Sequence, residues 1–161
     1  MRTTLLLGAL ALVVSGFGSA PAQGPCTGDA AKTASALYAR LLHRKPDALE
    51  LRSSIRLLKQ GRMVIELAHS FTLSQEHRDS LAKLTDPGVV AHLYQDLLNR
   101  AVDSAGRAHW LPIYAASGLN AVVHGIQYSD EYQQNWGAAR VPGTTASFFC
   151  VRDPMPMPRK H

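Results

Sequence analysis

The sequence predicts an all-α fold: a compact helical domain made from two tandem helical repeats, followed by an extended C-terminal tail. Three observations carry that prediction. The segment Leu37-Tyr38-x-x-Leu41-Leu42-x-Arg44 recurs 56 residues later as Leu93-Tyr94-x-x-Leu97-Leu98-x-Arg100, which is the mark of an internal repeat. Apolar residues follow helical spacing: Ala34, Leu37, Tyr38, Leu41 and Leu42 in the first copy, Val90, Leu93, Tyr94, Leu97 and Leu98 in the second. No stretch alternates apolar and polar residues between turn signals, so no sheet is expected beyond a short extended piece near Phe148 and Phe149.

Residues 1–22 read as a secretory signal. Arg2 supplies the positive start, Leu5 to Val14 the short apolar run, and Ala20-Pro21-Ala22 a cleavage site before Gln23. The run is too short for a retained membrane span, and the mature chain is expected to be secreted or periplasmic. Residues 23–33 form a flank carrying Cys26, 34–84 the first repeat, 85–140 the second, and 141–161 a proline-rich tail carrying Cys150. Export favours pairing of the only two cysteines, Cys26 and Cys150. The bridge would tie together the two ends of the mature chain, a constraint of roughly 4 to 5 kcal/mol on chain-entropy grounds.

Within each repeat the first helix is the core-facing one just described, and Leu37, Tyr38, Leu41, Leu93, Tyr94 and Leu97 are its expected buried residues. The second helix opens at Asp47 or Asp103, whose carboxylates can accept from free backbone N–H groups. Glu50 completes a capping box in the first copy. Leu51, Ile55 and Leu58 mark its inner stripe, as Trp110, Leu111 and Tyr114 do in the second copy. Gly61 and Gly118 stand where helices commonly end on a left-handed residue, whereas Pro112 falls inside a helix and is expected to kink it. A third helix follows, with Val64, Leu67, Ala68 and Phe71 matching Leu119, Val122, Val123 and Ile126. Ser74 and Ser129 then cap short fourth helices with acidic first turns. Between the copies, Asp86-Pro87 reads as a cap followed by proline at the first helical position.

The repeated pattern, Leu-Tyr-x-x-Leu-Leu-x-Arg, then Asp-x-x-Gly-x-x-x-Trp, a glycine turn and Ser-x-Glu-aromatic, resembles the bacterial domain-of-unknown-function 4214 family, itself similar to phycobilisome linker domains. The second copy keeps Asp103, Gly106, Trp110, Gly118, Ser129, Glu131 and Tyr132. The first is degenerate, with Glu50 for the glycine, Ser54 for the tryptophan and His77 for the last aromatic. The resemblance implies a helical module of exported and surface-associated proteins, with no established catalytic residues.

The formal net charge of +5 is too modest to imply nucleic acid. Its distribution is uneven, with bases concentrated in the first repeat. Arg52, Arg56 and Lys59 share one helix face, and Arg40 and Arg44 lie one turn apart on the preceding helix. Together they form a candidate face for an anionic surface polymer. Seven histidines are present, but none falls in a H-E-x-x-H or Cys/His ligand pattern. His69 and His124 occupy equivalent repeat positions, which points to a shared packing or surface role. Met155, Met157 and His161 could offer soft ligands to Cu(I), although a proline-rich tail is more often only a tail. No nucleophile elbow, phosphate loop or EF-hand pattern occurs. The expectation is therefore a non-catalytic interaction or scaffold module with no cofactor and no resident metal, whose partner is a protein or an anionic surface polymer. A periplasmic carrier of a small ligand or metal is the alternative, and an exported enzyme of unrecognised chemistry stands third.

Overall fold

The computed structural model describes residues 23–152. The expected signal at 1–22 and the tail methionines with His161 lie outside them. The elements in chain order are β1 (Gln23–Gly28), α1 (Ala30–Leu41), α2 (Ala48–Lys59), α3 (Val64–Thr72), α4 (Gln75–Leu81), α5 (Asp86–Leu98), α6 (Ser104–Gln127), α7 (Asp130–Asn135) and β2 (Phe148–Arg152).

Helix starts follow local hydrogen-bond chemistry. The Asp47 carboxylate accepts from the Leu49 and Glu50 backbone N–H groups while the Glu50 side chain accepts from the Asp47 N–H, a complete capping box. Asp103, Ser74 and Ser129 cap α6, α4 and α7 as their positions predict. Asp29 caps α1 through the Ala31 and Lys32 N–H groups. Asp86 differs from expectation. Thr85 is the residue with extended backbone before α5, so Asp86 lies inside the first turn, where its charge complements the helix dipole.

The apolar stripes converge on one core, in which Leu37, Leu41, Leu58, Leu93, Leu97 and Ile126 are fully buried. Tyr38 and Tyr94 are buried at its edge, and Trp110 packs against it partly covered. Helix α1 packs on α2, α3 and α5, while α5 packs on α6 and α7, and α3 meets α6 across the middle.

The break in α6 lies at Gly118 (φ 73°, ψ −171°). Pro112 lies inside the helix, six residues before this break, and is not among the residues with non-helical angles. The missing proline N–H costs one bond, but the ring itself fits helical φ. The glycine alone reaches a conformation that side chains resist.

The two ends of the described segment form a small antiparallel sheet, with Cys26 opposite Cys150 and Thr27 opposite Phe149. The extended piece at Phe148 is thus a strand, but its partner β1 carries no apolar alternation and was not legible. The disulfide Cys26–Cys150 spans 124 residues. The first part of the tail is not a loose extension either: Val141, Ala146 and Phe148 are buried in the core, and Val141 and Ala146 are joined by a backbone hydrogen bond of 2.9 Å.

Candidate functional site

Two features gather polar groups: an arginine-centred frame repeated along the chain, and a histidine cluster around one buried carboxylate.

The frame uses the motif arginines. Arg44 holds both Glu50 oxygens at 2.6 and 2.7 Å, also pairs with Glu76, and places its guanidinium 5.2 Å from the Tyr38 ring centre. Arg100 pairs with Glu131 through Nη2 at 2.7 Å and lies 4.9 Å from the Tyr94 ring centre. In each case an arginine at the end of one helix ties down the acidic first turn of a short helix, a charge-assisted bond with cation–π support. The hydrogen bonds to Arg44 and from the Asp47 N–H bring the Glu50 carboxyl down to about 2. Hydrogen bonding to Arg100 likewise lowers that of Glu131.

This frame decides what remains of the predicted basic face. Arg44 is neutralised within it. Arg40 is half-buried, with Nε donating to the Asp96 carbonyl at 3.0 Å and Nη2 donating to the Gln95 carbonyl. Both arginines are structural. Arg52, Arg56 and Lys59 remain exposed in one row on α2, and among the described residues no carboxylate lies within ion-pair distance of them. Leu49, at 71% exposure, and Leu57, at 39%, stand on the same helix.

The histidine cluster centres on Asp96 of α5, which is fully buried. His77 of α4, also buried, directs Nε2 to Asp96 Oδ2 at 3.0 Å. His92, one turn before Asp96, has Nε2 3.3 Å from the same oxygen. His43, just beyond the end of α1, has Nε2 3.3 Å from Oδ1. His43 holds a left-handed backbone (φ 53°), as Asn99 does at the corresponding end of α5 (φ 57°), and this turn swings its ring over α5. Burial works to raise the Asp96 carboxyl, but the His77 hydrogen bond and the neighbouring His92 and His43 imidazoles outweigh it and leave the group below its ordinary range. The His92 imidazole moves the other way, raised by its partner Asp96 against burial.

Sequence reasoning missed this cluster. Its members lie on three elements, and the only local signal is the i, i+4 pair His92 and Asp96 on one helix face. A second hint was His77, which replaces the aromatic of the Ser-x-Glu-aromatic motif. His69 and His124 are brought together elsewhere, lining a groove between α3 and α6 with Arg62, Glu66, Gln127 and Tyr128. There His69 Nδ1 is 2.8 Å from Gln127 Oε1. That groove holds about 230 Å³, below the roughly 300 Å³ at which small-molecule sites usually begin.

Fold and frame together define a class: a small disulfide-closed helical module whose motif arginines lock short helices in place. Within that class, residues 68–136 match the model of the family described as Domain of unknown function (DUF4214), so the resemblance carried by the motif holds over that segment. The match begins within α3 and takes in α4, with Ser74, Glu76 and His77, as well as α5 to α7. No curated protein matches the chain.

Proposed function

We propose that this chain is a non-catalytic interaction module, exported and folded in an oxidising compartment, that binds an anionic surface polymer through α2. The carrying observation is the selective exposure of Arg52, Arg56 and Lys59, while Arg40 and Arg44 are consumed internally. Three neighbouring cations with no carboxylate within ion-pair distance among the described residues attract a polyanion by counterion release and steering. The exposed Leu49 and Leu57 add apolar contact beside them.

Two further observations support the setting. The Cys26–Cys150 bridge suits a secreted or periplasmic protein, and no helix among the described residues is long and apolar enough to cross a membrane. We also read α1–α4 as a diverged copy of the α5–α7 unit, in which the paired arginine contacts are the retained feature. On this reading the first copy traded its motif glycine and tryptophan for Glu50 and Ser54 and gained the basic face. A small-ligand carrier would draw on the groove between α3 and α6, of about 230 Å³, or on a larger one of about 310 Å³ lined by Leu81, Leu84, Val89, Tyr114 and Leu119, which stands only at the lower end of small-molecule sites.

The test is binding to an immobilised anionic polysaccharide, heparin serving as the probe, across a salt gradient. The triple variant R52A/R56A/K59A should elute at clearly lower salt than the wild type, with unchanged helical content. Equal elution of the two proteins would overturn the proposal. Intact mass of protein recovered from the culture medium or periplasm, expected to begin at Gln23, tests the export reading separately.

A further inference from the structure

We propose that His43, His92 and Asp96 form a binding site for one divalent transition-metal ion of the zinc class, with His77 positioning the carboxylate. This does not depend on the α2 face.

The case rests first on distances. The ligand atoms His43 Nε2, His92 Nε2 and an Asp96 oxygen all lie within 4.8 Å of one another, and each imidazole nitrogen stands 3.3 Å from a carboxylate oxygen. An ion bound tetrahedrally with bonds of about 2.0–2.1 Å sets neighbouring ligand atoms roughly 3.3 Å apart. The two contacts fall on different oxygens, His43 on Oδ1 and His92 on Oδ2, so the donors converge on one place, and a small rotation of the exposed His43 side chain would bring all three onto one ion.

Hydrogen bonding gives the second argument. His92 Nε2 and Asp96 Oδ1 are buried and make no aligned hydrogen bond. Buried polar atoms ordinarily find partners, and a cation shared between these two and His43 satisfies both. His77 Nε2 is aligned on Oδ2, although its Nδ1 is also buried without a hydrogen-bond partner, whereas the His43 and His92 imidazoles only stand near the carboxylate. His77 then acts as the outer partner that fixes a ligating carboxylate.

Access and selectivity follow from the surroundings. The His43 side chain is 52% exposed while that of Asp96 is 1% exposed, so the site opens to solvent on one side and keeps a coordination position for water or a ligand from a partner. Two imidazoles and a single carboxylate suit zinc, copper or nickel and are poor for magnesium or calcium, which require oxygen donors. Arg40, held on the Asp96 carbonyl, adds positive charge nearby, which further disfavours an ion bound by charge alone.

The test is zinc titration of untagged mature protein, read by calorimetry and by native mass spectrometry, with cobalt(II) absorption as a report on geometry. The expected result is one ion per chain, an affinity at least about 100-fold weaker in both H43A and H92A, and a loss of about 10- to 100-fold in H77Q, typical of an outer partner. H77Q should also alter the cobalt band shape, which a merely structural role would leave alone. His43 is exposed enough for H43A to fold, and the H69A/H124A variant should bind like the wild type. Absence of stoichiometric binding would overturn the proposal, as would binding that survives in H43A and H92A, including binding lost only when Met155, Met157 and His161 are replaced.

Discussion

The Trp110 indole N–H donates to the Tyr94 hydroxyl at 3.0 Å, joining two of the three aromatic residues of the motif across α5 and α6. The same contact explains the motif glycine. A Cβ on Gly106 would lie 2.9 Å from Tyr94 Cζ and closer still to its hydroxyl, and one on Gly125 would lie 2.6 Å from Trp110 Cζ3. In Y94F the indole N–H loses its partner, and we expect a loss of about 1–2 kcal/mol together with a shifted tryptophan emission. G125A should cost about 1–3 kcal/mol by overpacking. Urea unfolding followed by fluorescence reads both, and a G125A protein as stable as the wild type would show that the ring can yield.

How far the sequence carries is visible in this pair. The spacing of Leu93, Tyr94 and Leu97 predicts a buried face, and all three are buried. The caps at Asp47, Asp103, Ser74 and Ser129 were legible because each is a short-range hydrogen bond. β1 was not, because Gln23–Gly28 is made a strand by its pairing with a segment more than a hundred residues away. The same holds for the arrangement around Asp96. His43, His77 and His92 are ordinary residues in sequence, and only the packing of α1 and α4 on α5 makes them neighbours. Arg40 shows the converse: helical spacing placed it on a basic face, but its contact with the Gln95 and Asp96 carbonyls depends on how α1 meets α5.

Glu50 sets a specific acid sensitivity. With the carboxyl at about 2 in the folded chain against 4.5 ordinarily, the folded state favours the ionised form. Its contribution is fully present above about pH 4.5 and is lost as pH falls toward 2. Because Glu50 and Arg44 are about one-third exposed, solvent screening keeps the effect small. E50Q should therefore be less stable than the wild type at pH 7 and should converge with it near pH 2. A difference that instead grows in acid would contradict the assignment.

The disulfide should matter more than any single polar contact. It closes a loop of 124 residues, for which the chain-entropy model gives about 4–5 kcal/mol. It also holds together β1 and β2. Reduction, or the C26S/C150S double variant, should lower the midpoint of denaturant unfolding by the corresponding amount, and reductant should leave the double variant unaffected. If reduction leaves the midpoint unchanged, the helical core alone sets stability.

Gly118 separates a conformational cost from a packing cost. An added Cβ meets nothing within 4 Å, yet the backbone there has φ 73° and ψ −171°, a region open essentially to glycine alone. G118A should thus cost about 1–3 kcal/mol through backbone strain with no clash to relieve. The alternative relaxation is a continuous helix through residue 118. That would raise helical content while pulling the 119–127 segment, with buried Val122, Val123 and Ile126, out of register with α3. Circular dichroism and thermal unfolding of G118A separate the two responses: lower stability at constant helicity means strain is retained, and higher helicity with a loosened core means the break has closed. A variant matching the wild type in both would show that the turn at Gly118 does not require glycine.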